Sequence, residues 1–474
     1  MSLPYREETT GRRRFFRESS AKESVMRILS IALAIGLMTS PASAQLLGGG
    51  GLGGLTNGLS GALPPTVAAL DAPDRSLARS RLASDPLGVQ SLITESDIPS
   101  APSLLEIRRE RLRQVVRDNT RVLEADPNGD PVRRNEILAM NLTPSEMDVA
   151  RAQGFTILRD ETLDGGGLHV EVLQPPRNLA LKRAMAALKA AAPTAIFDYN
   201  AIFEPAGGPL LSSGGAVAAA SHPGAASGVV IGLVDGGVAA HAAFSAASIE
   251  QRGFAGAVAA TGHGTAIASL LVGSAPGFNG AAQGAKLLVA DVYGGSSANG
   301  SAEAIARAVG WLAGRGARVI NISLVGPPNE LLRATIDAAR AKGVLVVAAV
   351  GNDGPAAPPL YPASYQKVIA VTGVDARDRA LVEAGRALHL DFAAPGAGMA
   401  AALPGAGYVA VRGTSFAAPL VTARLAVQSG DALSAVAAEA RPGRGGALGR
   451  GIVCGACRND PRTLRIKSAS GWKN

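Results

Sequence analysis

The stretch Val229-Val230-Ile231-Gly232-Leu233-Val234-Asp235-Gly236-Gly237 decides how the chain is read. Its apolar run is too short for a helix and does not alternate with polar residues, which is the pattern of a strand buried on both faces. Similar runs recur at 286–292, 319–323, 344–349 and 368–371. Helical patterns separate them at 263–272, 301–315, 330–342 and 414–427. This alternation predicts an α/β fold with a doubly wound, mostly parallel sheet. In such sheets ligand sites form beyond the carboxyl ends of strands, where Asp235 stands. Taken alone, an Asp before glycines serves equally well as a turn residue.

Three other segments gain meaning beside Asp235. Gly262-His263-Gly264-Thr265 opens a helical pattern, with glycines flanking the imidazole so that another backbone can come close. His169, His222, His241 and His389 have no such surroundings. Gly413-Thr414-Ser415-Phe416-Ala417-Ala418-Pro419 puts a hydroxyl at a helix start, against the positive end of the helix dipole. A bare Gly-x-Ser means little, whereas the run through Pro419 is specific. Val350-Gly351-Asn352-Asp353-Gly354 follows a buried run, and its Asn amide could donate to an oxyanion or simply build a turn.

Together these four segments resemble the subtilisin-like serine peptidases over roughly 228–430, in the chain order Asp, His, Ser. Asn321-Ile322-Ser323-Leu324, Tyr361-Pro362-Ala363 and Phe392-Ala393-Ala394-Pro395-Gly396 match as well. The resemblance implies acyl transfer. Ser415 would attack a peptide carbonyl, His263 would accept its proton, and Asp235 would orient the imidazolium. Asn352 and the Ser415 N–H would bind the oxyanion. Ser323, Leu324 and Gly326 would pair with substrate as an added strand. No cofactor is implied. Many relatives bind calcium, but no acidic loop here has calcium-ligand spacing. Two positions depart from the family: Gly236 stands where Ser or Thr is usual after the Asp, and Val325 where Gly is common.

Upstream, 133–205 reads as a small domain of order β-α-β-β-α-β, the ferredoxin-like arrangement. Its first helix starts on a capping box, Thr143-Pro144-Ser145-Glu146. By resemblance it is a propeptide-like ferredoxin-fold domain, a partner that assists folding and blocks the cleft of the catalytic domain 228–430. The Gly/Ala/Ser-rich linker 206–227 would then hold the processing site. Before this domain, 98–130 is an amphipathic helical segment, with Leu104, Leu105, Ile107, Leu112, Val115, Val116 and Leu123 marking its apolar side over 103–124. Residues 45–97 are Gly/Pro-rich and without periodicity.

At the N-terminus, Met26-Arg27, the apolar run 28–38 and Pro41-Ala42-Ser43-Ala44 form a signal peptide over 1–44, with Met26 an alternative start. Eleven residues at ~1.5 Å each fall short of the ~30 Å of a bilayer core, so no permanent membrane span is expected after signal removal. Export points to an oxidising compartment, periplasmic or extracellular, where Cys454 and Cys457 in the tail 431–474 would form a local disulfide. The formal charge of +8 is spread thinly: residues 1–44 carry seven basic and four acidic residues, and the rest 39 and 34. With only 4 % aromatics, neither charge clustering nor stacking surface supports a nucleic-acid partner. Protein or peptide substrates are the expected partners. The rivals are a dinucleotide-binding domain, which lacks G-x-G-x-x-G spacing, and a catalytically silent protein-binding module on the same fold.

Overall fold

The computed structural model describes residues 100–464 apart from 166, 207–225 and 406. The apolar run 28–38, the stretch 45–97 and most of the linker therefore lie outside the described residues.

Seven strands form the main sheet, in the spatial order Phe392–Pro395, Ile369–Val374, Leu345–Ala349, Val319–Ile322, Val230–Asp235, Lys286–Asp291 and Ser248–Gly253. Every neighbouring pair is parallel. The continuous Val/Ile/Leu runs of the central strands follow from helices covering both faces. Helices Gly262–Val272 and Thr414–Val427 share one apolar cluster. Ala302–Gly314 and Glu330–Ala341 contribute to the other. Three of these helices carry the expected N-caps: Thr261, Ser301 and Asn329 accept from backbone N–H groups three residues on, at 3.0, 3.2 and 3.1 Å. The edge strand Ser248–Gly253 did not announce itself as an apolar run. Its Glu250-Gln251-Arg252 face water, as an edge position permits.

The upstream domain is a second, antiparallel sheet in the order Thr156–Thr162, His169–Gln174, Pro131–Met140, with Ile196–Ala201 on the far side of Pro131–Met140. Helices Pro144–Ala152 and Leu181–Ala191 complete the ferredoxin-like arrangement. The capping box forms, with Thr143 and Glu146 bonding each other's backbone N–H at 3.0 and 3.3 Å. The amphipathic segment is a helix over Ala101–Asp118, shorter than its periodicity predicts, because Leu123 turns away into a short strand, Leu123–Ala125, that pairs antiparallel with Pro131 to Arg133.

The two sheets share one apolar cluster, which holds Ile137, Val172 and Phe197 of the upstream sheet with Ile305, Leu331 and Tyr365 of the body, and they also meet through polar groups and backbone. Arg159 reaches across with Nε to Glu303 at 2.6 Å and Nη2 to Glu136 at 2.7 Å. Asn200 donates to the same two carboxylates at 3.0 and 2.8 Å. Asp198 accepts the N–H of Glu330 at 2.7 Å, at the start of helix Glu330–Ala341. The turn at Gly165 (φ +70°) lies on Gly310: a Cβ on Gly310 would stand 2.3 Å from the Asp164 carbonyl oxygen. Only glycine allows so close an approach.

Past the sheet, helix Ala432–Glu439 and an irregular tail return to the body. Cys454 and Cys457 form a disulfide. Nearby, the buried Arg458 donates to the Asp375 carbonyl at 2.6 Å, and Asn459 bridges to Asn279 and Ala400. No helix among the described residues is long and apolar enough to cross a membrane.

Candidate active site

Strand Val230–Asp235 delivers Asp235 to the carboxyl edge of the sheet, where it is buried. Its Oδ1 accepts the Gly236 N–H at 2.8 Å. Both carboxylate oxygens lie on His263 Nδ1, at 3.0 and 2.9 Å. His263 is in the first turn of helix Gly262–Val272, capped by Thr261. The glycine at 236 has a steric reason here. A Cβ on it would come within 2.4 Å of the Thr261 hydroxyl and methyl, so the capping residue fills the room that a side chain would take.

Ser415 is in the first turn of helix Thr414–Val427, which packs on helix Gly262–Val272. The neighbouring Phe416 ring stands 5.8 Å from the His263 ring, centroid to centroid. Ser415 Oγ and His263 Nε2 are buried and have no hydrogen-bond partner among the described residues. The helix contains Pro419, four residues on, which has no N–H to give the Ser415 carbonyl. The Ser323 hydroxyl supplies that bond at 3.1 Å and is itself held by Asn321 Nδ2 at 3.0 Å, which continues to Thr422 at 3.1 Å. A side chain that looked like a cleft residue thus also completes the backbone of the serine's own helix.

Asn352 faces the same point. Its Oδ1 accepts the Thr414 N–H at 2.9 Å, and its Nδ2 donates to the carbonyl of Ala206. Gly413 (φ +140°) is needed beside it, since a Cβ there would lie 2.9 Å from Nδ2. The chain from Phe203 to Ala206 therefore occupies the cleft as an added strand. Glu204–Pro205 pairs antiparallel with Leu324–Val325, Ala206 N–H donates to the Ser323 carbonyl at 2.8 Å, and Phe203 N–H donates to that of Gly300 at 2.7 Å. Gly326 exchanges its backbone bonds with Tyr361 at 2.9 and 3.0 Å, and meets the cleft segment through the Phe203 ring.

A second layer lies above this strand. Helix Ala101–Asp118 rests Leu104 on Gly354 and sends two arginines inward. Arg108 Nε bonds Asp353 at 3.1 Å; Arg111 bonds Asp353 at 2.9 Å and Glu204 at 3.2 Å. Burial works against the Arg111 charge, but the two carboxylates prevail and hold its pKa well above the ordinary value. Neither arginine belongs to the apolar side that the sequence marks on this helix. What it could not show is that two buried carboxylates from distant segments would lie opposite them. Ala206 likewise carried no signal, being one alanine in a Gly/Ala/Ser-rich stretch. Among the described residues, no group of three or more His, Cys, Asp or Glu side chains is arranged to hold a metal ion.

A hydrogen-bonded Asp–His pair, a serine at a helix start and an amide beside it, all at the carboxyl edge of a parallel sheet, define a serine peptidase of subtilisin-like fold. A family model described as the subtilase family matches residues 226–438. Subtilisin Savinase of Lederbergia lenta is 33 % identical over 211 residues, 42 % of this chain and 76 % of that protein. The alkaline protease of Alkalihalobacillus alcalophilus is 33 % identical over the same length, 54 % of that protein. Among solved structures, fervidolysin from Fervidobacterium pennivorans, described as a keratinolytic enzyme related to subtilisin, shares the fold: TM-score 0.59, 19 % identity, 74 % of this chain and 63 % of that one. The chain belongs to the subtilase family of serine endopeptidases.

Proposed function

We propose that the chain is the precursor of an exported serine endopeptidase that hydrolyses peptide bonds through Asp235, His263 and Ser415 and cuts itself between Ala206 and Gly207. The observation that carries this reading is the seating of Phe203–Ala206: paired with Leu324–Val325, with the Ala206 carbonyl on the Asn352 amide. A carbonyl held there is in the position of an acyl group under attack. Ser415 Oγ adds to that carbon while its proton passes to His263 Nε2. Asp235 keeps the other ring nitrogen protonated and stabilises the imidazolium. Negative charge grows on the oxygen facing Asn352 Nδ2 and the Ser415 N–H. The imidazolium then protonates the leaving nitrogen, and water, activated by the same histidine, releases the acyl group.

After the cut, the ferredoxin-like domain 133–205 acts as the first inhibitor, its tail still paired in the cleft. Export rests on the signal pattern of residues 1–44. Mass spectrometry of purified full-length protein tests the self-cleavage. A new N-terminus at Gly207 is expected, and the Ser415→Ala chain should stay uncut. Cutting of that variant at the same bond, without added protease, would refute self-cleavage. A protein N-terminus after Ala44 in the periplasm or medium is the expected result for export; retention of residues 1–44 in the cytoplasm would overturn it.

A further inference from the structure

The departure at Val325 bears on which peptides the cleft accepts. In the antiparallel pair, Val325 stands opposite Glu204 and Leu324 opposite Pro205. Side chains alternate along a strand, so Ala206, two residues from Glu204, lies on the same face as Val325. That face is closed. Ala206 is 2 % exposed, and it belongs to one continuous apolar cluster with Val325, Ala349 and Leu360. The last two border the loop that carries Asn352. At Gly351 (φ +92°) a Cβ would stand 3.1 Å from Leu360 Cδ1 and 3.3 Å from Val325 Cγ1, so both side chains crowd the backbone one residue before Asn352. The Ala206 side chain thus faces the side of the strand pair on which these two branched residues are packed.

We infer that Val325 and Leu360 restrict the enzyme to alanine-sized residues on the acyl side of the cleaved bond. The inference rests on the peptidase reading above and names its substrate class: proteins and peptides cut after alanine, with bulky aliphatic and aromatic residues refused at that position. Packed apolar floors do not yield to a larger side chain without moving neighbours. In apolar pockets one methylene of misfit is worth about 10–200-fold in kcat/KM, and a phenylalanine exceeds alanine by far more than one.

The test uses the self-processed enzyme with Phe-Glu-Pro-Ala and Phe-Glu-Pro-Phe p-nitroanilides, the first four residues copying 203–206. The alanine substrate should exceed the phenylalanine one by at least about 100-fold in kcat/KM. Leu360→Gly should lower this ratio at least tenfold, and Val325→Gly should shift it in the same direction, so that one variant suffices if the other does not fold. Comparable turnover of the two peptides by the unaltered enzyme, or a ratio untouched in both variants, would overturn the inference while leaving the peptidase reading intact. No turnover of either peptide, together with no labelling of Ser415 by a fluorophosphonate, would overturn both.

Discussion

The main sheet and the upstream sheet are held by different means. Apart from the edge strand Ser248–Gly253, strands of the first are buried on both faces, and the ladder packs between two apolar clusters. The upstream sheet joins one of those clusters through its apolar side, Ile137, Val172 and Phe197 among it, and adds a set of polar and backbone ties to the body: Arg159 with Glu136 and Glu303, Asp198 at a helix start, Arg111 between Glu204 and Asp353, and glycine backbone on glycine backbone. Apolar burial of the first kind suits a permanent structure. Polar contacts are specific in the docked state and become hydrated when it opens, which is what the proposed release of that domain requires.

The largest effect should come from the first region. Ser415→Ala is expected to abolish peptide hydrolysis by about 10⁶-fold, the loss known for this change in subtilisin, a relative. Folding and docking should persist, which circular dichroism and limited proteolysis would check. If hydrolysis survived, the catalytic centre would lie elsewhere.

Arg111→Gln attacks the second region alone. It leaves Glu204 buried without its cation and Asp353 with Arg108 only. Breaking a buried charge pair costs about 2–5 kcal/mol. The interval between the cut, followed on a gel, and the appearance of peptidase activity should therefore shorten at least about 30-fold. An unchanged interval would mean that helix Ala101–Asp118 does not help hold the tail.

Gly310→Ala sharpens the contrast because its effects on the two regions have opposite sign. Alanine is a better helix former than glycine by about 1 kcal/mol, so helix Ala302–Gly314 itself gains. The added methyl, however, would press on the Asp164 carbonyl from 2.3 Å. Release of the cut domain should be about tenfold faster while the processed enzyme melts no lower. A slower release would show that the turn can move aside.

The smallest effect is a pH dependence. Burial pushes the Asp198 carboxyl up to about 6, against the two backbone N–H bonds it accepts. The docked domain then binds this proton more tightly than the free one. Docking is strongest below the ordinary Asp range and weakens as pH rises through about 6. Release should be several-fold faster at pH 8 than at pH 5, and Asp198→Asn should flatten the profile.

Much of this was legible beforehand for identifiable reasons. Asp235, His263 and Ser415 each stand at the end or in the first turn of an element whose local pattern is strong, and Asn352 follows such an element: an unbroken apolar run, glycines at a close approach, a helix opening with a proline at fixed distance. Strand Ser248–Gly253 was not legible, because an edge strand has no need of apolar continuity. Nor was the seat of Ala206, since pairing in the cleft uses backbone groups that every residue possesses.

By itself, then, the sequence determined the parallel α/β architecture and the chemical types at the catalytic edge, since burial pattern and motif spacing are local properties of the chain. Only the tertiary structure decided that Ser323 completes the bond Pro419 cannot make, that Gly236 makes way for Thr261, and that Arg111 joins Glu204 to Asp353. Each of these pairs residues 25 or more positions apart. Such contacts depend on which surfaces the fold brings face to face, and no local pattern encodes that.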